Sequence, residues 1–122
     1  MKKNQTIAFL ICVLFAAVGC KENPYKAEIL GSWSVDLWIL EKSAQEVFNT
    51  MDFTFHEDDT YHVNYGTETE SGKYWFVDDK LFTQETGNKQ KSVKLMRLEN
   101  DTMIIQMNRA GDLERVFLLK NK

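Results

Sequence analysis

Few side chains in this sequence of 122 residues could act as nucleophiles or metal ligands. The two cysteines are Cys12 and Cys20, and the two histidines are His56 and His62. Two imidazoles on neighbouring strands could hold a divalent metal, but a zinc site needs three or four converging ligands and a supporting second layer. We therefore interpret both histidines as solvated hairpin side chains and predict no metal site.

Carboxylates form two short clusters, at residues 57–59 and 78–79. A catalytic carboxylate pair needs two groups opposed across a cleft with separated pKa values. Both clusters instead fall in predicted tight turns, where aspartate suits the backbone and water solvates the charge. The chain also contains no glycine-rich phosphate loop and no nucleophile elbow. We predict that the protein is not an enzyme and needs no cofactor.

Composition excludes several further classes of protein. The formal net charge is −3, and 43% of the residues are hydrophobic. An acidic chain of this length does not fit a basic nucleic-acid binder or a multi-domain enzyme. The expected organisation is one folded domain, residues 28–122, preceded by segments that direct and attach it.

The amino terminus has the pattern of an export sequence. Lys2 and Lys3 precede an unbroken apolar run at residues 7–18, which is shorter than the roughly 20 residues that a membrane-spanning helix needs. The sequence Ala-Val-Gly-Cys at residues 17–20 resembles the lipobox of bacterial lipoproteins. We therefore predict a signal peptide over residues 1–19, with a tether over residues 20–27.

The lipobox resemblance implies a membrane anchor and a cellular location. In that family the cysteine is lipidated and becomes the new amino terminus, so Cys20 would carry acyl chains such as palmitate. Lys21 follows it where aspartate would favour the inner membrane, which implies the bacterial outer membrane, with the domain facing the periplasm or the cell surface. Cys12 would be lost with the signal, so no thiol would remain for a disulfide.

Beyond the tether, the apolar pattern changes from a helical turn to strands. Asn23 and Pro24 fit the start of a short helix over residues 25–30. From Gly31 onward, short runs alternate apolar and polar residues, as half-buried strands do. Short links favour antiparallel neighbours. The predicted strands cover residues 32–40, 51–56, 61–65, 73–77, 80–84, 91–98, 102–108 and 113–119.

Consecutive strands of this kind predict a small, eight-stranded, antiparallel up-and-down barrel, in which closure removes exposed edges. A three-residue loop at residues 57–59 keeps one face of the second hairpin apolar and requires Asp59 to be left-handed. The longest link, residues 41–50, predicts a short helix or a folded lid over one barrel end; a longer first or second strand is the alternative. The hairpin register pairs Phe55 with Tyr61, Phe53 with Val63 and Met51 with Tyr65.

The order of these motifs resembles a known family. Leu-Gly-Ser-Trp at residues 30–33 has the Gly-x-Trp spacing of lipocalins, and residues 53–61 resemble a hairpin common in lipocalin-like domains of Bacteroidetes-type lipoproteins. The resemblance covers residues 29–119 and implies structural roles for Gly31 and Trp33. It also implies a late arginine packed on that tryptophan, for which Arg115 is the candidate; an exposed strand arginine is the alternative.

The interior of the barrel decides the function, because eight strands enclose either packed side chains or one small ligand. We predict a lipid-anchored binding protein for a small hydrophobic or amphipathic molecule, with membrane contact only through the anchor and no nucleic-acid partner. The alternative is a solid barrel that serves as an interaction, inhibitor or accessory module of an envelope complex, through its loops or an outward Trp75/Phe82 patch. The predicted ligand-binding residues are Trp33, Tyr61, Tyr65, Tyr74 and Met107.

Overall fold

The computed structural model describes residues 23–122 and forms a closed barrel. Eight antiparallel strands follow one another in sequence order, and β1 pairs with β8, which confirms the predicted fold class. The architecture fits a lipocalin-like barrel. The predicted signal peptide and Cys20 lie outside the described residues. The strands are β1 (Gly31–Leu40), β2 (Asp52–Phe55), β3 (Thr60–Asn64), β4 (Thr69–Val77), β5 (Lys80–Glu85), β6 (Lys91–Glu99), β7 (Thr102–Arg109) and β8 (Asp112–Lys120).

The up-and-down order gives the barrel two different ends. The closed end contains the amino-terminal segment and the turns that link β2 to β3, β4 to β5 and β6 to β7. The open end contains the other four links, of which residues 41–51 are the longest. Alternating strand direction therefore places the first residues of β4, β6 and β8 beside the last residues of β1, β3 and β7.

A short helix, α1 (Tyr25–Ile29), seals the closed end. The Asn23 side chain accepts a hydrogen bond from the Tyr25 backbone N–H at 2.9 Å, in agreement with the predicted helix start. Ile29 is fully buried, and its carbonyl accepts the indole N–H of Trp33 at 2.8 Å. Within residues 23–122, no helix combines the length and apolarity needed to cross a membrane.

The predicted register of the hairpin between β2 and β3 is confirmed. Phe55 pairs with Tyr61 and Phe53 with Val63, while Asp59 has the positive φ, 66°, that the three-residue loop requires. Trp75 pairs with Phe82 across a turn at residues 78–79. Aspartate tolerates the left-handed region better than most residues, so the acidic turns follow from backbone geometry.

A bulge in β1 corrects the predicted inward face of two strands. The pairing of β1 with β8 shifts between Val35 and Leu37, so the inward position passes to Trp38. Strict alternation from Trp33 would place Leu37 inside, but Leu37 and Phe117 instead pair with each other on the outer face. Phe117 belongs to a run of four consecutive apolar residues, 116–119, and alternation alone could not choose between the two faces. The buried neighbours in β8 are Val116 and Leu118.

Two glycines occupy positions in the barrel where a side chain would not fit without strain. Gly31 joins α1 to β1 with a φ of 113°, a conformation that L side chains rarely adopt. Gly72 lies where β4 crosses close to β5, and a Cβ there would stand 2.0 Å from the carbonyl oxygen of Gln84. Both positions tolerate no larger residue without movement of the backbone.

The predicted arginine partner of Trp33 is wrong. The ammonium of Lys120 stands over the Trp33 ring, 5.3 Å from its centroid. Arg115 instead forms an ion pair with Glu41, with 2.9 Å between Nη2 and Oε1. In the pairing of β1 with β8, Arg115 lies opposite Ile39, beyond the bulge, whereas Trp33 lies opposite Lys120.

The segment at residues 41–50 forms neither a helix nor an extension of β1 or β2. Glu46 makes an isolated bridge to Ile39, and the Val47 backbone N–H donates to the Trp38 carbonyl at 2.8 Å. Val47 packs against the core, whereas Phe48 next to it is exposed. The segment therefore lies on the rim of the open end.

Candidate functional site

Two buried carboxylates lie inside the open end of the barrel. Glu70 is 8% exposed and Glu114 is 4% exposed. Each stands near the start of its strand, two or four residues from a buried apolar side chain on the same face, so the alternation of the strand directs it inward. A buried carboxylate is costly unless it is paired and hydrogen-bonded, so its partners matter.

Glu114 is held by an indole and a guanidinium. One carboxylate oxygen accepts the Nε1–H of Trp38 at 2.9 Å, and the other forms an ion pair with Arg109, with 2.9 Å between Oε2 and Nε. The guanidinium also stacks over the Trp38 ring, 5.6 Å from its centroid. These three residues fix one another in position.

Glu70 has a parallel arrangement of partners. The Tyr61 hydroxyl donates to one carboxylate oxygen at 2.5 Å, and Lys91 Nζ donates to the other at 3.0 Å. The Tyr65 hydroxyl lies 3.5 Å from the oxygen that Lys91 contacts. Both carboxylates are therefore fully engaged by aromatic donors from within and by cations from the rim.

Protonation of this cluster follows from burial and hydrogen bonding. Burial raises the pKa of Glu70, but the hydrogen bonds from Tyr61 and Lys91 outweigh it, and the net pKa lies below the usual value. Burial and the neighbouring Glu70 charge raise the pKa of Tyr65 to about 12 and raise that of Tyr61 as well. At neutral pH the carboxylate is thus ionised and both phenols are neutral donors.

A cavity of about 340 Å³, called the mouth cavity below, opens beside this cluster. Polar groups dominate its wall, and the exposed Phe48 adjoins it in sequence. Small-molecule sites are concave and carry a few convergent polar groups, which this one does. The lining residues are Trp38, Asn49, Thr50, Tyr65, Glu68, Glu70, Lys91 and Arg109.

The sequence-predicted site residues are divided between the two ends. Tyr65 lines the mouth cavity, and Tyr61, 1% exposed, lies behind it on Glu70. Met107 pairs with Glu114 in the ladder and packs against the core. Trp33 and Tyr74 lie at the closed end, where the Tyr74 hydroxyl donates to the His56 carbonyl.

The charged members of the site were missed in the sequence. Each one continues the inward alternation of its strand beyond the last apolar residue: Glu70 precedes Tyr74 at even spacing, and Lys91 precedes Leu95. Arg109 follows Ile105 in the same way. Counting by two from a core residue to the strand end would have found them.

The two histidines do not converge on a common site. His62 bonds through Nδ1 to the Ser71 hydroxyl at 2.8 Å, on the outer wall, where a groove also contacts His56. Across residues 23–122, no group of three or more His, Cys, Asp or Glu side chains is arranged to hold a metal ion.

Two other surfaces carry apolar side chains. A groove of about 720 Å³ lies at the open end between the β1–β2 and β7–β8 links, but the side chains that line it, such as Leu40 and Leu113, are exposed or half-buried, and none is a buried polar group. On the opposite wall, Trp75 stacks on Phe82 with 5.6 Å between centroids and 5° between ring planes. Both rings are half-buried, so this outward pair is only partly exposed.

Comparison with protein-family models and with curated proteins returns no match for this chain.

Proposed function

We propose that this chain is a lipid-anchored, lipocalin-like binding protein of the bacterial envelope that binds a small amphipathic molecule at its open end. The observation that carries the proposal is the mouth cavity, where convergent polar groups surround an opening of about 340 Å³. The role proposed is binding rather than catalysis.

The distribution of packing favours an amphipathic ligand over a purely hydrophobic one. Aromatic side chains fill the barrel centre and closed end: Phe55, Tyr61 and Tyr74 are each at most 3% exposed. A ligand without polar groups would have to displace these core side chains. Inserting extra volume into a closely packed core is destabilising. A ligand with a polar group needs only the mouth.

The proposed anchor and the proposed site lie at opposite ends. The described chain starts at Asn23 and enters the barrel through α1 at the closed end, where the Tyr25 ring contacts Phe76 at 5.9 Å. A chain extends by at most about 3.6 Å per residue, so an acylated Cys20 would hold Asn23 within roughly 11 Å of its lipid. The mouth would then point away from the membrane.

Lipidation is tested by labelling cells that express the full chain with a clickable palmitate analogue. We expect label on the wild-type protein and none on the Cys20→Ala variant, because the thiol is the acceptor. Label on both proteins, or on neither, would contradict the anchor.

Ligand binding is tested by native mass spectrometry of residues 21–122 after incubation with an envelope lipid extract. These residues include the complete ring of strands. We expect a discrete added mass that the Asn49→Trp variant loses, because the indole would fill the mouth cavity. The matched control is Thr69→Trp on the outer wall of the same end; equal loss in both variants, or no added mass, would contradict the proposal.

A second candidate function is an interaction module, which the stacked Trp75 and Phe82 favour. Apolar rings on an outer wall often mark a partner surface. A photo-crosslinker placed at Phe82 should then capture one discrete envelope protein in cells, whereas the same group at Ser71 should not. Crosslinking at neither site would leave only the ligand-binding proposal.

A further inference from the structure

We propose that the mouth cavity selects an anionic head group, a carboxylate or a phosphate, which Arg109 and Lys91 bind. This inference rests on the proposed function, since it names the class of ligand for the same cavity. The two cations each use only some of their N–H donors on the buried carboxylates. The remaining donors are available to a ligand in the cavity.

Arg109 reaches the cavity with most of its donors unused. Its Nε is directed at Glu114 in an ion pair of 2.9 Å, and its guanidinium lies over the Trp38 ring. Guanidinium carries five N–H donors, so four remain on the two Nη atoms. Its side chain is 61% exposed, and within residues 23–122 those donors have no protein acceptor. The two free Nη groups have the geometry to donate in bidentate fashion to a carboxylate or a phosphate.

Lys91 is a second cation that is held by a buried carboxylate and still has unused donors. One of its three N–H donors is used on Glu70, and 63% of its side chain is exposed. The Glu70 carboxylate that positions it is only 10% exposed at the side chain and is engaged at both oxygens. A ligand therefore meets the ammonium before it meets the carboxylate.

Buried carboxylates make these cations a prepared site. Unpaired lysine and arginine side chains lose rotamer entropy when they bind an anion, which weakens binding. Here Glu70 and Glu114 have already restricted Lys91 and Arg109, so less ordering remains for the ligand to cause. Glu70 and Glu114 are positioning residues in this arrangement, and the cations are the binding residues.

One lining group opposes this assignment. Glu68 is exposed on the rim of the mouth cavity and carries no ion pair to another described residue. A cationic ligand could pair with it, whereas Glu70 and Glu114 are too buried and too engaged to do so. An amine is therefore the competing ligand, and the experiment includes one.

The test compares four ten-carbon probes by calorimetric titration into residues 21–122, below their micelle concentrations. They are decanoate, decyl phosphate, decan-1-ol and decylamine. We expect both anions to bind at least about ten-fold more tightly than the alcohol, because a charged hydrogen bond gains that much over a neutral one. Decylamine should bind no better than the alcohol.

Variants assign the effect to the two cations. Arg109→Gln and Lys91→Gln should each weaken binding of the anions about five- to ten-fold and leave the alcohol unchanged. Lys91→Arg should restore the affinity, since it keeps the charge. Matched controls are Lys94→Gln, on the outer face of β6, and Arg97→Gln, which pairs outside with Glu99, and neither should matter. Each variant is first shown to unfold cooperatively.

The outcomes separate this inference from the proposed function. Equal affinity for the alcohol and the anions, or tightest binding of decylamine, would overturn the anionic head group while a ligand site at the mouth stood. Anion binding that survives both glutamine variants would also overturn it. Binding of no probe, together with no added mass from the envelope extract, would overturn both.

Discussion

The two ends of the barrel use the same residue types with different hydrogen-bond acceptors. At the closed end, the Trp33 indole and the Tyr74 hydroxyl donate to backbone carbonyls of Ile29 and His56. At the open end, the Trp38 indole and the Tyr61 hydroxyl donate to the carboxylates of Glu114 and Glu70. One end is therefore closed by neutral bonds and the other is built around buried charge.

This difference separates stability from function. Neutral bonds to the backbone satisfy a buried donor at little cost, whereas desolvating a carboxylate costs several kcal/mol that its partners must offset. The closed end shows that this barrel can seal an end with neutral bonds alone. We infer that the open end keeps its carboxylates because they hold Lys91 and Arg109 over the mouth cavity.

The largest expected effect is on the stability of the closed end. Trp33→Ala should lower the free energy of unfolding by about 3–5 kcal/mol, because it removes a ring that is 1% exposed and leaves a cavity. Urea denaturation measures this loss. Affinity of the folded fraction for decanoate should stay unchanged, and a matching loss of affinity would contradict the separation of the ends.

A smaller loss is expected when the open end is altered. Glu114→Ala should cost about 1–3 kcal/mol, because the Trp38 N–H is left buried without an acceptor while Arg109 remains exposed to water. Decanoate should bind several-fold more weakly, since Arg109 is no longer held. The control is Glu114→Gln, whose carbonyl oxygen can still accept from Trp38; a stability loss as large as that of alanine would contradict this account.

Acid should act through Glu70. Its pKa is lowered in the fold, so the stability it contributes is present above about pH 4.5 and is lost as the pH falls through the folded pKa. Tyr61→Phe removes a donor to the charged form and should move acid unfolding upward by about half a pH unit. Tyr74→Phe, which loses a bond to a carbonyl, should leave the acid midpoint in place when circular dichroism follows the titration.

The smallest effect concerns the cation over Trp33. Lys120→Met should cost about 0.5–1 kcal/mol, the usual contribution of an exposed cation–π contact. A double-mutant cycle with Trp33→Phe should give a coupling energy for Lys120 and none for Arg115. Coupling between Arg115 and Trp33 instead would restore the pairing that the structure contradicts.

How far the sequence predicts this molecule depends on the regularity of each strand. Strict alternation in residues 51–65 predicted the second hairpin, including the positive φ of Asp59. The bulge near Asp36 could not be predicted from the sequence, because no residue type there requires it. As a result of the bulge, Trp38 points into the barrel and Leu37 points outward. The site was missed for a related reason: its charged residues break the apolar pattern by which an inward face is recognised.

Three tryptophans at three places allow one direct measurement of the central claim. Trp33 reports the closed end, Trp38 the mouth cavity and Trp75 the outer wall. We would titrate ¹⁵N-labelled residues 21–122 with decanoate and follow the three indole N–H resonances. We predict a saturable shift of Trp38 alone. A shift of Trp33 or Trp75 with Trp38 unmoved would contradict a ligand site at the open end.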